Sequence, residues 1–196
     1  YQASIWSAFD VPPHTLMARA GEAVAKLALA VAPHAQRVWV AAGPGNNGGD
    51  GLEAAGLLCR AGREVEVTLL GDESALPDDA REALARAQAA GVRIVAQPSE
   101  SGFASKLGAH DIAIDALLGI GATRAPQGAI AASIRQLNAL ACPVLAVDVP
   151  SGLHAGTGQP LGEDCVVATH TLSLLTLKPG LFTGAGRDHA GGVWFE

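Results

Sequence analysis

The sequence predicts an α/β protein, a Rossmann-like three-layer α/β/α sandwich with a mostly parallel central sheet, and three observations carry that expectation. Apolar, β-branched runs alternate with Ala/Leu-rich stretches along the chain. The runs are apolar almost without a break, as strands buried on both faces are. Glycine-rich polar clusters follow the first, fourth and fifth runs, at the edge where a parallel sheet gathers its ligand-binding loops.

The elements follow in order. A helix over 14–32 precedes a first strand at 37–42 (RVWVAA). A second helix at 49–61 leads to a strand at 64–70 (EVEVTLL), and a third at 78–90 to a strand at 92–96 (VRIVA). Strands at 111–118 (DIAIDALL) and 143–149 (PVLAVDV) flank a fourth helix at 128–141. After a strand at 171–176 (TLSLLT), a turn at 189–192 leads into a last strand in GGVWFE. No linker, repeat or low-complexity run divides the 196 residues, so a single domain over 1–196 is expected. Tyr1 is not an initiator methionine, and the chain reads as a piece of a longer one.

Composition excludes several classes of function. With 49% hydrophobic and only 16% charged residues, the chain buries a real core and is not a disordered protein. Nineteen acidic against 13 basic residues leave no cationic footprint for nucleic acid or an anionic membrane. The most apolar early stretch, Val24 to Ala35, is broken by Lys26, Pro33 and His34, too soon for a membrane span. Cys59, Cys142 and Cys165 cannot all pair with one another and show no metal-ligand spacing, which fits a reduced, cytoplasmic setting.

The first cluster, GPGNNGGDG at 43–51, places Gly43, Gly45 and Gly48 in G-x-G-x-x-G spacing between a strand and a helix, with Asp72 a little over twenty residues on. A tight strand-to-helix turn would need glycine anyway. It would not need Asn46, Asn47 and Asp50, which exceed what one helix cap requires. Asp115 stands in the apolar run IAIDALLG, and Asp148 ends VLAVDVPSG; a buried carboxylate without a partner costs several kcal/mol or more. Each could cap neighbouring amides. Both aspartates on one sheet edge beside an Asn-rich turn favour a site, and the Asn, Asp and Ser oxygens form a set suited to a hard cation.

In this order the residues resemble the NAD(P)H-hydrate epimerase family, a domain often fused to an ADP- or ATP-dependent NAD(P)H-hydrate dehydratase. The resemblance rests on LMARAG (16–21), GPGNNGGDGL (43–52), DALLGIG (115–121), CPVLAVDVPSGL (142–153), LKPGL (177–181) and GRDHAG (186–191). It implies a substrate-binding turn at Asn46, Asn47, Gly48, Gly49 and Asp50, and a second loop at Gly119, Ile120, Gly121, Ala122, Thr123, Arg124 and Ala125. It also implies that Asp148 contacts substrate and that one potassium ion binds at Asn47, Asp115 and Ser151. Two departures stand out. Where many members read G-T-G-L-x-R, Ile120 removes a threonine hydroxyl, and the segment 10–14 before LMARAG is short.

The activity so implied is epimerisation at C6 of the hydrated nicotinamide of NADHX and NADPHX, interconverting R and S hydrates in metabolite repair. Inverting a hemiaminal carbon takes an acid and a base, and Asp148 is the candidate. Asn46 and the glycine amides at the helix start would hold the diphosphate or the ribose, and Arg124 is the charged phosphate contact. Lys178 of the LKPG turn reads either as a helper in proton transfer or as a solvated turn lysine. The six histidines read as surface or core residues. Ile5, Trp6 and Phe9 would cover a second copy or a fused dehydratase domain. Two rivals are carried: a dinucleotide-dependent oxidoreductase, against which stands Tyr1 as the only tyrosine, and a non-catalytic nucleotide-binding or protein-interaction module.

Overall fold

The structure, a computed structural model, describes residues 14–97 and 102–196. Ile5, Trp6, Phe9 and the segment preceding His14 lie outside the described residues. Helix α1 (Thr15–Val31) leads to β1 (Arg37–Ala42), α2 (Asn46–Arg60), β2 (Glu64–Leu69), α3 (Asp78–Ala89) and β3 (Arg93–Val95). The second half runs β4 (Ile112–Ala116), α4 (Gly128–Asn138), β5 (Val144–Val147), β6 (His170–Ser173), a one-turn α5 (Gly186–His189) and β7 (Gly192–Phe195).

The seven strands form one sheet in the order β3-β2-β1-β4-β5-β6-β7, and every pairing is parallel. The order reverses between β1 and β4, so the crevice outside their carboxyl ends is where an open α/β sheet takes its ligand. Strand β1 is buried from Val38 to Ala42 and β4 throughout, which is why both read as unbroken apolar runs.

The two faces are covered unequally. Val24 and Leu27 of α1, Leu52 and Leu58 of α2, and Ala80, Ala83 and Leu84 of α3 pack on Val40, Val67, Ile114 and Val147. The opposite face has Ile134 and Leu137 of α4 against Trp39, Ala41, Ala113 and Ala146, filled out by Phe103 and Val166 from loops. Trp39 is fully buried, and its indole N–H donates to Thr68 Oγ1 at 3.0 Å.

Several boundaries differ from the sequence reading, each for a local reason. Helix α2 starts at Asn46 and not at 49, so the Asn-Gly-Gly-Asp run is the helix's first turns. Packing overrides the poor helix propensity of glycine here. A Cβ at Gly48 would lie 1.9 Å from Gly43 O, and one at Gly51 would lie 2.5 Å from Ala116 Cβ. Strand β5 stops at Val147 because Asp148 turns to φ 69°, and β6 stops at Ser173 because the chain turns at Leu175 (φ 63°). Helix α4 ends at Asn138, whose amide donates to Cys165 O and accepts from Val167 N, both at 2.9 Å. The residues before β7 are not only a turn; Gly186–His189 is helical.

All three cysteines are free, and no described helix is long and apolar enough to cross a membrane. A groove of about 470 Å³ lies between α1 and β7, beside Leu27, Leu172, Trp194 and Phe195, and includes none of the loops that carry the polar clusters.

Candidate active site

Three loops leave the carboxyl ends of β1, β4 and β5, and the structure brings them together as the glycine clusters foretold. The Gly43 amide donates to Ala116 O at 3.0 Å, and a Cβ at Gly43 would fall 1.9 Å from Leu117 O. Only glycine lets the β1 turn lie this close to the end of β4. Gly45, extended, precedes α2, and the Gly49 amide closes the first turn on Gly45 O at 3.1 Å. The amides of Asn46, Asn47 and Gly48 therefore point out of the helix start with no intrahelical acceptor. Asn46 is exposed, Asn47 and Asp50 are partly buried, and Gly48 and Gly49 are buried.

Asp115 is completely buried in β4. It is not bare: Oδ1 accepts from Ser151 Oγ at 2.6 Å and from the Leu117 amide at 3.2 Å, and Oδ2 accepts from the Ser151 amide at 2.8 Å. No Lys or Arg side chain bonds to it among the described residues. Burial raises its pKa to about 6, against the opposing pull of the Ser151 and Leu117 hydrogen bonds. Ser151 Oγ in turn accepts from the Leu118 amide at 2.9 Å.

Asn47 approaches the same place from α2. Its Cβ, Cγ and Oδ1 lie 3.4–3.6 Å from where a Cβ on Gly119 would stand, and its Nδ2 is buried without a hydrogen-bond partner. Asp115 and Ser151 are bonded at the β1/β4 crevice, and Asn47 lies against Gly119 of the loop that follows β4. A fully buried carboxylate with no cationic partner, the Ser151 hydroxyl and the Asn47 Oδ1 near Gly119 offer an oxygen set that fits a monovalent cation in chemistry, whereas the unpaired Asn47 Nδ2 is a donor and would not ligate it. Among the described residues no three His, Cys, Asp or Glu side chains gather as they would for a transition metal.

Asp148 occupies the left-handed region at φ 69°, a backbone state that Asp and Asn tolerate better than most residues. Its amide donates to Leu172 O at 2.8 Å, and its Oδ1 accepts from the Leu174 amide at 3.2 Å. Lys178 Nζ also donates to Asp148 Oδ1, and to Leu174 O. The reading of Lys178 as a solvated turn lysine is corrected: the side chain is 9% exposed, against 13% for Asp148. Leu175, in the left-handed region, folds the 174–178 segment back so that the lysine reaches across to the end of β5. The signal lay in the LKPGL string itself, a lysine directly before Pro-Gly and just past a strand end.

The Asp50 side chain forms no hydrogen bond or ion pair among the described residues. Burial first, then the charges of Asp148 and Glu53, push its pKa up to about 8. Sequence reading placed Asp50 in the substrate-binding turn but had no means of seeing this.

The loop from Gly119 to Ala125 lies along the rim, turned by the Ala122 amide on Gly119 O at 3.1 Å. Ile120, Gly121, Thr123, Arg124 and Ala125 are exposed; Gly119 and Ala122 are partly so. Asp72 turns its carboxylate onto its own loop: its Oδ1 accepts from the Ser74 amide at 2.9 Å and from Ser74 Oγ at 2.8 Å. Several histidines have structural partners, as expected of surface and core residues. His154 Nδ1 accepts from the Thr157 amide at 3.1 Å, and His189 Nδ1 lies 2.9 Å from Val166 O.

Comparison with known proteins supports a family. Residues 13–180 match the family described as YjeF-related protein N-terminus. The chain is 44% identical over 184 residues to a Bordetella bronchiseptica protein named NAD(P)H-hydrate epimerase, covering 89% of this chain and 77% of that one. It is 39% identical over 183 residues to the Escherichia coli K12 protein named bifunctional NAD(P)H-hydrate repair enzyme Nnr, covering 93% of this chain but 34% of that one. The chain thus spans about a third of that bifunctional relative. Among solved structures, yeast ynu0 superposes with a TM-score of 0.76 at 24% identity, covering 87% of this chain and 74% of that one. A family match over most of the chain, relatives above 30% identity and a shared fold lead to one conclusion: the chain belongs to the YjeF-related protein N-terminus family.

Proposed function

We propose that this domain is an NAD(P)H-hydrate epimerase, interconverting the R and S hydrates of NADHX and NADPHX at C6 of the nicotinamide. The observation that carries the reading is Asp148: a nearly buried carboxylate at the ligand edge, with Oδ1 engaged by Lys178 and Leu174 and Oδ2 left open. The names of the relatives at 39% and 44% identity support the same substrate class.

In this reading the free amides of Asn46, Asn47 and Gly48 and the guanidinium of Arg124 bind the dinucleotide's phosphates. Gly49, Asp50 and the loop of Gly119, Ile120, Gly121, Ala122, Thr123, Arg124 and Ala125 shape the pocket around the hydrated ring. Asp148 moves a proton at the hemiaminal carbon. Asn47, Asp115 and Ser151 hold one potassium ion, which supplies a counter-charge for Asp115 and joins the loops. The proposed partners are an ADP- or ATP-dependent dehydratase domain, fused or associated, as the bifunctional names of relatives suggest, and a second copy of the chain. Free cysteines support a cytoplasmic setting.

The test is direct. The purified domain is incubated with the separated R hydrate, and conversion to S is followed by chromatography against the spontaneous rate. Conversion no faster than the spontaneous rate, with tight binding of the hydrate retained, favours the non-catalytic module.

A further inference from the structure

Lys178 is buried where an ammonium needs partners to replace water. The chain around it is built to supply them. A residue before proline is driven to extended backbone, and Lys178, before Pro179, stands at φ −90° and ψ 126°. The Gly180 amide donates to Ala155 O at 2.7 Å, and a Cβ at Gly180 would fall 2.4 Å from His154 O. Glycine is thus what lets this turn close on the loop that follows Ser151. On the other side the Thr176 amide donates to Leu174 O at 2.7 Å and Ser173 Oγ to Thr176 O at 2.9 Å, which folds the segment after β6 under the lysine.

The ammonium then donates to Asp148 Oδ1 and to Leu174 O, while the Leu174 amide donates to that same Asp148 oxygen at 3.2 Å. Asp148 Oδ2 accepts no hydrogen bond among the described residues. The terminal torsion of an aspartate is broad, so a carboxylate left to itself swings and presents either oxygen. Two donors on Oδ1, one of them charged, hold the plane of the group and leave one oxygen to work with.

We infer that Lys178 is the positioning residue of the epimerisation: by occupying Oδ1 it fixes the Asp148 carboxylate and reserves Oδ2 for the proton that moves at the hemiaminal carbon. The inference rests on the epimerase reading above. Lys178 acts on Asp148 and not on the reacting atoms, so its whole effect on rate passes through that carboxylate. An ammonium has three N–H groups, and two are used. A lysine that met the substrate with the third would act in parallel with Asp148, and the two roles give different arithmetic.

The experiment compares wild type, Lys178→Met, Asp148→Asn and the double variant on the separated R hydrate, below the melting temperature of each. Single turnovers with enzyme in excess keep the slow variants above the spontaneous rate. Lys178→Met is expected to lose about 10²-fold in kcat with KM little changed, the scale of loss that a misplacement of about 1 Å brings. Lys178→Arg, which keeps a charged donor there, is expected to fall between Lys178→Met and wild type. In Asp148→Asn the carboxylate is gone, and adding Lys178→Met should slow the reaction no further, since residues that act as a unit are not additive. Wild-type kcat in Lys178→Met overturns the inference, as does a loss confined to KM. Losses that multiply in the double variant also overturn it, because the lysine would then act on the substrate itself. Should Lys178→Met not fold, Lys178→Arg alone and with Asp148→Asn is read by the same three rules. A wild type that does not epimerise overturns the epimerase reading, and the inference with it; that result needs no variant and is distinct from the other three.

Discussion

Ser151 Oγ lies 2.6 Å from Asp115 Oδ1 while accepting the Leu118 amide at 2.9 Å, so a single hydroxyl joins a buried carboxylate to the loop after β4. A hydroxyl has one proton and two lone pairs. The proton goes to Asp115 and one lone pair to Leu118, which leaves one lone pair for a cation.

Potassium should therefore stabilise the fold. An ion bound only by the native state adds about 2.7 kcal/mol at a concentration 100 times its Kd. Thermal melts in KCl against choline chloride at equal ionic strength should show a rise in Tm that Asp115→Asn and Ser151→Ala abolish. An equal rise in all three proteins rules out this site.

Lys178→Met should cost more than the loss of a surface charge. Removing one partner of a buried ion pair costs about 3–5 kcal/mol, and Lys178 and Asp148 are 9% and 13% exposed. The exposure of the pair places the expected loss at the lower end, read as a fall in the urea midpoint. Lys178→Arg should recover part of the stability and less of the kcat, since the longer fork cannot keep the same contacts with Asp148 and Leu174 O.

Asp50 sets a slope in stability against pH. Its folded pKa of about 8 lies above the ordinary 3.8, so between these values the native state binds more protons than the unfolded chain. Stability then falls as pH rises from about 4 to 8 and is level, for this group, beyond. Asp50→Asn removes that slope, and its Tm relative to wild type should be more favourable at pH 8 than at pH 5. A constant difference at the two pH values would show that Asp50 does not hold its proton.

Gly48→Ala tests the close approach of the turn to the helix. The new methyl would sit 1.9 Å from Gly43 O, which is backbone and cannot step aside. Overpacking of this kind costs typically about 1–3 kcal/mol and sometimes more. The variant should lose hydrate binding even where it folds, and circular dichroism with a binding titration separates the two effects. Gly45→Ala, with open space around its Cβ, is the control for sterics.

Much of the fold was legible because burial writes itself into composition: β1 and β4, covered on both faces, could only be apolar runs. The strand ends were less so. Nothing in PVLAVDV marks Asp148 as left-handed, and nothing in TLSLLT marks the turn at Leu175; both are imposed by the loops they join. Asp115 and Ser151 were legible as polar residues at strand ends, and they are hydrogen-bonded to each other; Asn47 enters from the first turn of α2, near Gly119. The Asp148–Lys178 pair was not, because it spans thirty residues and depends on the 174–178 segment folding back. Asp50 was legible as a position but not as a protonation state, which arises from burial and from the charges of Asp148 and Glu53.

The two amides that fasten the neighbouring loops use as acceptors the side chains proposed to carry the site: Leu118 on Ser151 and Leu174 on Asp148. The edge of the sheet is thus sewn with its own functional groups. Replacing either side chain also releases a loop amide, so hydrogen exchange at these two positions reports the state of Ser151 and Asp148. For the same reason selection on the chemistry and selection on the local order of the loops act on the same atoms, and drift in one cannot proceed without the other.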